Sequence, residues 1–522
     1  MENTKLLNGI FKTSQEKGKE YLVNLDVDRL IAPCYEAVNQ SPKNERYGGW
    51  EKMSISGHSL GHWLSASAVM HAATKDNQLE EKLIYALEEM EKVQSFDPEG
   101  YLGGFPRDCF DKVFSGDFEV AHFSLGGSWV PWYSIHKIYA GLIDVYRYTG
   151  MEKALDIVLK MADWAYKGLS PLTHEQFQRM LICEYGGMNE VFADLYSITE
   201  DAKYLELAER FYDEIILDPL AEEKDELEGK HANTQIPKVI GVAKLYNLTG
   251  KEKYRRIAEY FWEQVVKYRT YVIGGNSIRE HFGLKNTEEL GVLTAETCNT
   301  YNMLQLTELI FDWNPHGRYY DFYERALYNH ILASQDPESG MKTYFVSSEP
   351  GHFKVYNSHD NSFWCCTGTG MENPARYNSR IFQRLNESFF VHLFIPATWE
   401  SDKHGLKVRQ ETEFPFADRV TLTIEDASGL ELEWRIRKPY WLKDEMTISI
   451  NGKLVDYEVK DGYASFVRAW EKGDKIEIDV SLDLHLYSAK DSPYKKAIMY
   501  GPLALAGALG RENFPESDIL DD

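Results

Sequence analysis

The sequence predicts a mainly helical fold with a β domain, an (α/α)6 toroid followed by a β-sandwich. Three observations carry this prediction. The segments Tyr146-Arg147-Tyr148-Thr149-Gly150, Tyr196-Ser197-Ile198-Thr199-Glu200 and Tyr246-Asn247-Leu248-Thr249-Gly250 recur at an interval of 50 residues, each closing one apolar-periodic stretch and preceding another. From about residue 384 the period changes to two, as in Ser388-Phe389-Phe390-Val391-His392-Leu393-Phe394-Ile395. The chain has 522 residues, enough for two or three domains with a large core.

Each recurring unit is a helical hairpin. The stretch Tyr204-Leu205-Glu206-Leu207-Ala208-Glu209-Arg210-Phe211-Tyr212 places apolar residues three and four apart, which makes one helix face greasy. A period near 50 holding two helices means stacked hairpins that bury their faces on neighbours. A weaker copy is His71-Ala72-Ala73-Thr74-Lys75, and further hairpins near 10–40, 55–95 and 295–335 bring the count to about six. Six can close into a ring with a concave mouth; an open solenoid is the alternative. The expected boundaries are 1–382 for the barrel and 383–522 for the sandwich. Within the latter, Arg419-Val420-Thr421-Leu422-Thr423-Ile424 and Lys475-Ile476-Glu477-Ile478-Asp479-Val480 read as strands, and Asn451-Gly452 as a hairpin turn.

Asp and Glu number 82 against 57 Lys and Arg, a formal charge of −25, which repels phosphate backbones and excludes nucleic acid as an expected partner. No stretch approaches a membrane span, and Met1-Glu2-Asn3-Thr4-Lys5-Leu6-Leu7-Asn8 lacks the apolar run of a secretory leader, so the expected location is cytoplasmic. The six cysteines are expected to be thiols there. Aromatics are high at 13%. Rings of this kind serve as stacking platforms for sugars, though an aromatic core looks the same at this level.

The strongest chemical constellation is Glu296-Thr297-Cys298 with the adjacent pair Cys365-Cys366. Thr294 reads as the N-cap of a helix over 299–311, which puts Glu296 and Cys298 in its first turn, where backbone N–H groups favour anions. The pair lies in the Gly-rich turn Trp364-Cys365-Cys366-Thr367-Gly368-Thr369-Gly370, before another helix. Three thiolates and a carboxylate complete a tetrahedral zinc set; buried free thiols or a disulfide to Cys298 are the plain alternatives. Glu280, 16 residues before Glu296 in a loop rich in glycine, supplies a second carboxylate of the kind glycoside hydrolysis needs. Polar helix openings at Tyr133-Ser134-Ile135-His136-Lys137, Glu184-Tyr185-Gly186-Gly187-Met188-Asn189-Glu190 and His231-Ala232-Asn233-Thr234-Gln235-Ile236-Pro237 would ring one rim. Gly57-His58-Ser59-Leu60-Gly61 fits the nucleophile elbow of an esterase with Ser59 as nucleophile, but no apolar strand precedes it. P-loop, H-E-x-x-H and Rossmann fingerprints are missing from the sequence.

Taken together, Glu296-x-Cys298, Cys365-Cys366, Glu280 and the GGMNE, HANTQIP and Tyr-x-x-His-Lys segments resemble glycoside hydrolase family 127 and its sister family 146, the β-L-arabinofuranosidases, over about residues 50–380. The GGMNE form is closer to the sister family. The resemblance implies an (α/α)6 barrel with zinc held by Glu296, Cys298, Cys365 and Cys366. It further implies Cys365 as nucleophile, Glu280 as acid/base and Tyr344 beside the nucleophile, with His136, Asn189, Glu190, His231 and Gln235 binding sugar hydroxyls. The expected activity is a retaining exo-glycosidase releasing β-L-arabinofuranose or a related furanose. A non-catalytic sugar-binding protein with a structural zinc and the Ser59 esterase are the alternatives. The expected partner is a small carbohydrate, without nucleic acid or membrane, and a homodimer is allowed for.

Overall fold

A computed structural model describes residues 2–403 and 405–510. Twelve helices build a closed double ring. We number them α1 (Ile10–Asn24), α2 (His58–Thr74), α3 (Asn77–Gln94), α4 (Pro131–Thr149), α5 (Glu152–Leu169), α6 (Met188–Thr199), α7 (Ala202–Arg210), α8 (Ala232–Thr249), α9 (Glu252–Val266), α10 (Thr297–Trp313), α11 (Gly317–Ala326) and α12 (Cys365–Ala375). The even-numbered helices form the inner ring, each touching the next, and α12 packs back on α2. Inner helices such as α12 are buried all round, whereas outer ones such as α5 bury one stripe.

The 50-residue recurrence has a local cause. Thr149, Thr199 and Thr249 each donate a hydroxyl hydrogen bond to the carbonyl four residues back and accept one from the N–H two residues on. Gly150, Glu200 and Gly250 then take the left-handed conformation that ends the helix. Thr74 and Lys75 repeat the device in the weaker copy. Tight inner packing needs small residues: a Cβ on Gly61 of α2 would lie 2.1 Å from the backbone of Lys137 on α4.

The ring corrects the hairpin count at one place. Residues 10–40 do form two helices, but α1 pairs with α12, 340 residues away, so the sixth hairpin is assembled from distant segments; the helix Val27–Ala37 packs on α3 instead. The elbow reading also fails. Ser59 lies in the first turn of α2, fully buried, after a 3-10 turn (Gly49–Lys52) rather than a strand.

A two-layered β domain follows. The long strand Arg419–Arg437 is shared: its first half lies between Leu406–Thr412 and Lys475–Asp479, and its second half between Ser388–Val391 and Tyr463–Glu471. Asn451 and Gly452 turn the hairpin joining Thr447–Ile450 to Lys453–Leu454, both with positive φ. The first strand, Glu2–Leu6, crosses over to pair with Ala397–Ser401. Arg437, fully buried, binds Asp321 at 2.8 Å and also Glu324 on α11, fixing the sandwich to the barrel. No helix among the described residues is long and apolar enough to cross a membrane.

Below the mouth, the ring interior is held by ions. Glu372 of α12 accepts hydrogen bonds from His62 Nδ1 (2.6 Å) on α2 and from the Tyr301 hydroxyl on α10. Burial pushes the Glu372 carboxyl up, but His62 and Arg376 outweigh it and hold it at about 2. Burial lowers His62 to about 4. Both folded values lie below the unfolded ones, so the unfolded chain takes up protons first as the pH falls. The stability from this pair is full above pH ~6.5, declines as His62 and then Glu372 should titrate, and is gone near pH ~2. Urea unfolding across this range is expected to show Glu372→Gln losing on the order of 3 kcal/mol at neutral pH and having a flatter acid limb than the parent. Parallel acid limbs would refute it.

Candidate active site

The first turns of α10 and α12 meet at the mouth of the ring. Glu296 is the N-cap of α10, so its carboxylate stands at the helix entrance, and Cys298 is in the first turn. Thr294, expected as the cap, instead binds the 346–348 segment, donating to Val346 O and accepting from the Ser348 N–H. Cys365 and Cys366 are the first two residues of α12. A strand would send adjacent side chains to opposite faces, whereas the start of a helix turns both sulfurs toward α10. The segment carrying Tyr344 is stapled alongside: Thr297 N–H donates to the Tyr344 carbonyl at 3.0 Å.

Glu280 reaches the same place from a contorted loop. Ser277, Arg279 and Glu280 all have positive φ (81°, 45° and 66°), a costly conformation that clusters at functional sites. The loop is held by the Ala232 N–H, which donates to the Glu280 carbonyl at 2.7 Å. That contact also sets Glu280 beside His231, the N-cap of α8, with Oε2 3.8 Å from Nε2. His231 Nδ1 accepts from the Thr234 N–H at 3.3 Å, which leaves Nε2 to carry the proton facing Glu280.

Four donor atoms, from Glu296, Cys298, Cys365 and Cys366, lie within 4.8 Å of one another, all buried. Cys366 Sγ is 3.2 Å from Cys298 Sγ, 4.0 Å from Cys365 Sγ and 3.9 Å from Glu296 Oε1. The sulfur separations bracket the roughly 3.8 Å between ligands of a tetrahedral zinc with ~2.3 Å bonds. Glu296 Oε2 is buried without a hydrogen-bond partner among the described residues. Burial pushes the Glu296 carboxyl and the Cys366 thiol well up, and Cys298 does the same to Cys365. Burial also opposes ionisation of Cys298, yet hydrogen bonds from Cys365 and Cys366 bring it down to about 6. Burial thus opposes charging all four donors together, a cost that a bound cation would offset.

Above these donors is a cavity of about 170 Å³ lined by Glu296, Cys365, Glu280, Tyr344 and His231 together with Tyr133, Glu184 and Asn233, and rimmed by Trp50, Phe123 and Trp129. It is smaller than the roughly 300–1,000 Å³ of sites for drug-sized ligands and suits a single sugar ring. The Tyr344 hydroxyl donates to Glu280 and lies 3.5 Å from Cys365 Sγ, so one phenol joins carboxylate and sulfur. Burial would raise Glu280, but His231 and Tyr344 hold it below the usual carboxylate range. Burial would lower His231, but Glu280 and Glu184 raise it.

The other expected hydroxyl binders lie elsewhere. Asn189 on α6 donates to the Lys238 carbonyl on α8 (2.8 Å) and so ties two inner helices together, while Gln235 accepts from Lys238 Nζ (3.0 Å) within α8. Glu190 pairs with Lys244 at 2.7 Å. His136 packs beneath Gly186 and Gly187, and with Glu190 it lines a second, deeper cavity of about 180 Å³. Conversely, Tyr133, Glu184 and Asn233 sat inside the polar segments read from sequence without being singled out. Trp50, Phe123 and Trp129 gave no signal beyond the aromatic excess.

Comparison with known proteins follows the same lines. The family model described as β-L-arabinofuranosidase, GH127 catalytic domain matches residues 3–379, and that of the GH127 middle domain matches 388–482. A non-reducing end β-L-arabinofuranosidase of Bifidobacterium longum subsp. longum is 24% identical over 471 residues, 85% of this chain and 63% of its own length. The chain therefore spans less than two thirds of that relative. In fold it is similar to a GH127 β-L-arabinofuranosidase of Geobacillus stearothermophilus T6, with a TM-score of 0.77 and 21% identity over 96% of this chain and 86% of that one. A second GH127 β-arabinofuranosidase structure gives a TM-score of 0.78 at 20% identity, covering 96% and 84%.

Proposed function

We propose, from the premise that this chain belongs to the GH127 β-L-arabinofuranosidase family, that it is a retaining exo-glycosidase releasing β-L-arabinofuranose from non-reducing ends. The observation that carries the reading is the Glu280–Tyr344–Cys365 relay on the wall of a pocket one ring deep.

Glu296, Cys298, Cys365 and Cys366 would hold a zinc ion. Bound there, zinc supplies a soft Lewis acid that keeps the sulfurs deprotonated at neutral pH and moderates the basicity of Cys365. The rest is the work of side chains. Cys365 Sγ attacks the anomeric carbon as the bond to the leaving oxygen breaks, and Glu280 delivers a proton to that oxygen. Glu280 takes up that proton before the step and regains one from water in the second half, while the Nε2–H of His231, 3.8 Å away, orients its carboxyl. In the second half Glu280 takes a proton from water, the water oxygen bonds to the anomeric carbon, and the carbon–sulfur bond breaks. Two inversions leave the configuration unchanged. His231, Glu184 and Asn233 face the ring hydroxyls from the pocket wall.

The test is a panel of 4-nitrophenyl glycosides run beside elemental analysis of protein purified without chelator. The expected outcome is about one zinc per chain and a kcat/KM for the β-L-arabinofuranoside at least ~100-fold above the other glycosides. Stripping the metal with a strong chelator is expected to abolish turnover and lower the melting temperature, since four buried donors lose their common partner. Tight sugar binding with zinc present and no turnover would favour a carbohydrate-binding protein instead.

A further inference from the structure

His58 is fully buried at the start of α2 and takes no part in the proposed reaction. We propose that it is a positioning residue for the nucleophile, acting through the stretch of backbone that leads into Cys365; this rests on the reading of Cys365 as the attacking sulfur.

The imidazole is held at both nitrogens. Nδ1 lies 3.1 Å from the Ile55 carbonyl and Nε2 lies 3.0 Å from the Phe363 carbonyl. Carbonyl oxygens only accept, so each ring nitrogen donates and the ring is an imidazolium. Its counter-charge is Glu51, equally buried, with Oε1 3.2 Å from Nδ1. Glu51 is itself fixed, because it accepts from the N–H groups of Gly57 (2.8 Å) and Ser59 (3.1 Å) at the entrance of α2. The Ser59 hydroxyl, 3.4 Å from Nε2, can accept from that nitrogen as well.

The carbonyl held by Nε2 lies in a constrained segment. Phe363 has a φ of 48°, in the left-handed region that a phenylalanine enters only when its surroundings force it. Residues 48–58 supply that force. The Gly48 N–H donates to the Asp360 carbonyl (2.7 Å), the Trp50 N–H to that of Ser362 (3.2 Å), and His58 to the next one along. Position 49 has to be glycine, since a Cβ there would stand 1.7 Å from the Asn361 carbonyl oxygen. The held peptide joins Phe363 to Trp364, the N-cap of α12, and Cys365 follows directly. The Trp364 ring also lies 5.7 Å from that of Tyr344, the phenol between Glu280 and Cys365. Turning this one peptide therefore displaces the nucleophile and its neighbour together, and about 1 Å of error between reacting atoms costs on the order of 100-fold.

Two substitutions separate the two donors. Glutamine puts its amide N–H where Nε2 was and asparagine where Nδ1 was, while both remove the charge. His58→Gln is expected to keep kcat on 4-nitrophenyl β-L-arabinofuranoside within ~5-fold of the parent. His58→Asn should lower kcat ~100-fold and leave KM within ~3-fold, since the pocket walls stay in place. Equal losses in the two variants, or a parental kcat in His58→Asn, overturn the proposal. Amide hydrogen exchange needs no turnover: residues 360–366 should exchange ~10-fold faster in His58→Asn than in the parent or in His58→Gln. That pattern in a protein that cleaves no glycoside leaves the clamp standing and removes the glycosidase reading alone; unchanged exchange overturns the clamp. In the parent itself, nitrogen-15 spectra of histidine-labelled protein, with His58→Gln marking the signal, should show both ring nitrogens protonated at neutral pH. A neutral ring overturns the proposal, whether or not His58→Asn folds.

Discussion

Cys365→Ala is expected to lower kcat/KM on every glycoside by about 10,000-fold or more, because Cys365 carries the one sulfur among the described residues that line the pocket. The melting temperature should fall by only a few degrees, since Glu296, Cys298 and Cys366 still offer three donors. Cys366→Ala is the contrasting case. Its sulfur sits at the centre of the set, 3.2 Å from Cys298 and 3.9 Å from Glu296, so metal content and melting temperature should fall along with activity. Steady-state kinetics, elemental analysis and thermal melts on the two variants separate a nucleophile from a ligand. Substantial turnover by a metal-loaded Cys365→Ala protein would remove the proposed chemistry.

Glu280→Gln should show a loss that depends on the leaving group. Sugar alkoxides need a proton as they depart, and the expected drop with a disaccharide is about 1,000-fold; dinitrophenolate leaves unaided, and there the first step should be nearly untouched. The second step then limits, because no base activates water, and azide, which needs none, should restore the rate and give a glycosyl azide of retained configuration. A parent-like rate with the disaccharide would assign the acid elsewhere, with Glu184 the next carboxylate in the pocket.

What could be read in the sequence was what is local. The hydroxyls of Thr149, Thr199 and Thr249 and the left-handed residues after them write the helical corner into five consecutive positions, so the hairpins were visible one by one. The pairing of α1 with α12 was not, because nothing in either helix names a partner 340 residues away. The same divide runs through the site. Cysteines and glutamates announce themselves by chemistry, and Glu296, Cys298, Cys365, Cys366 and Glu280 do come together. His231 and Tyr344 join them on the pocket wall. Whether a polar helix opening faces the pocket or a neighbouring helix depends on rotation about the helix axis, which separates His231 from Asn189. Trp50 lies in a single 3-10 turn and Phe123 in a tight turn between two strands, segments too short for any periodicity to say which rings are left in the open.

The clasp between α1 and α12 also sets an order of events during synthesis. Helix α1 waits, with its inner face uncovered, until the segment 365–375 follows it out of the ribosome, since its ring partner is the last of the six inner helices in chain order. That latecomer brings two of the four donors, so the proposed metal set cannot assemble in the nascent chain until the circle is shut. Deleting α1 would accordingly be felt at the paired thiols of α12.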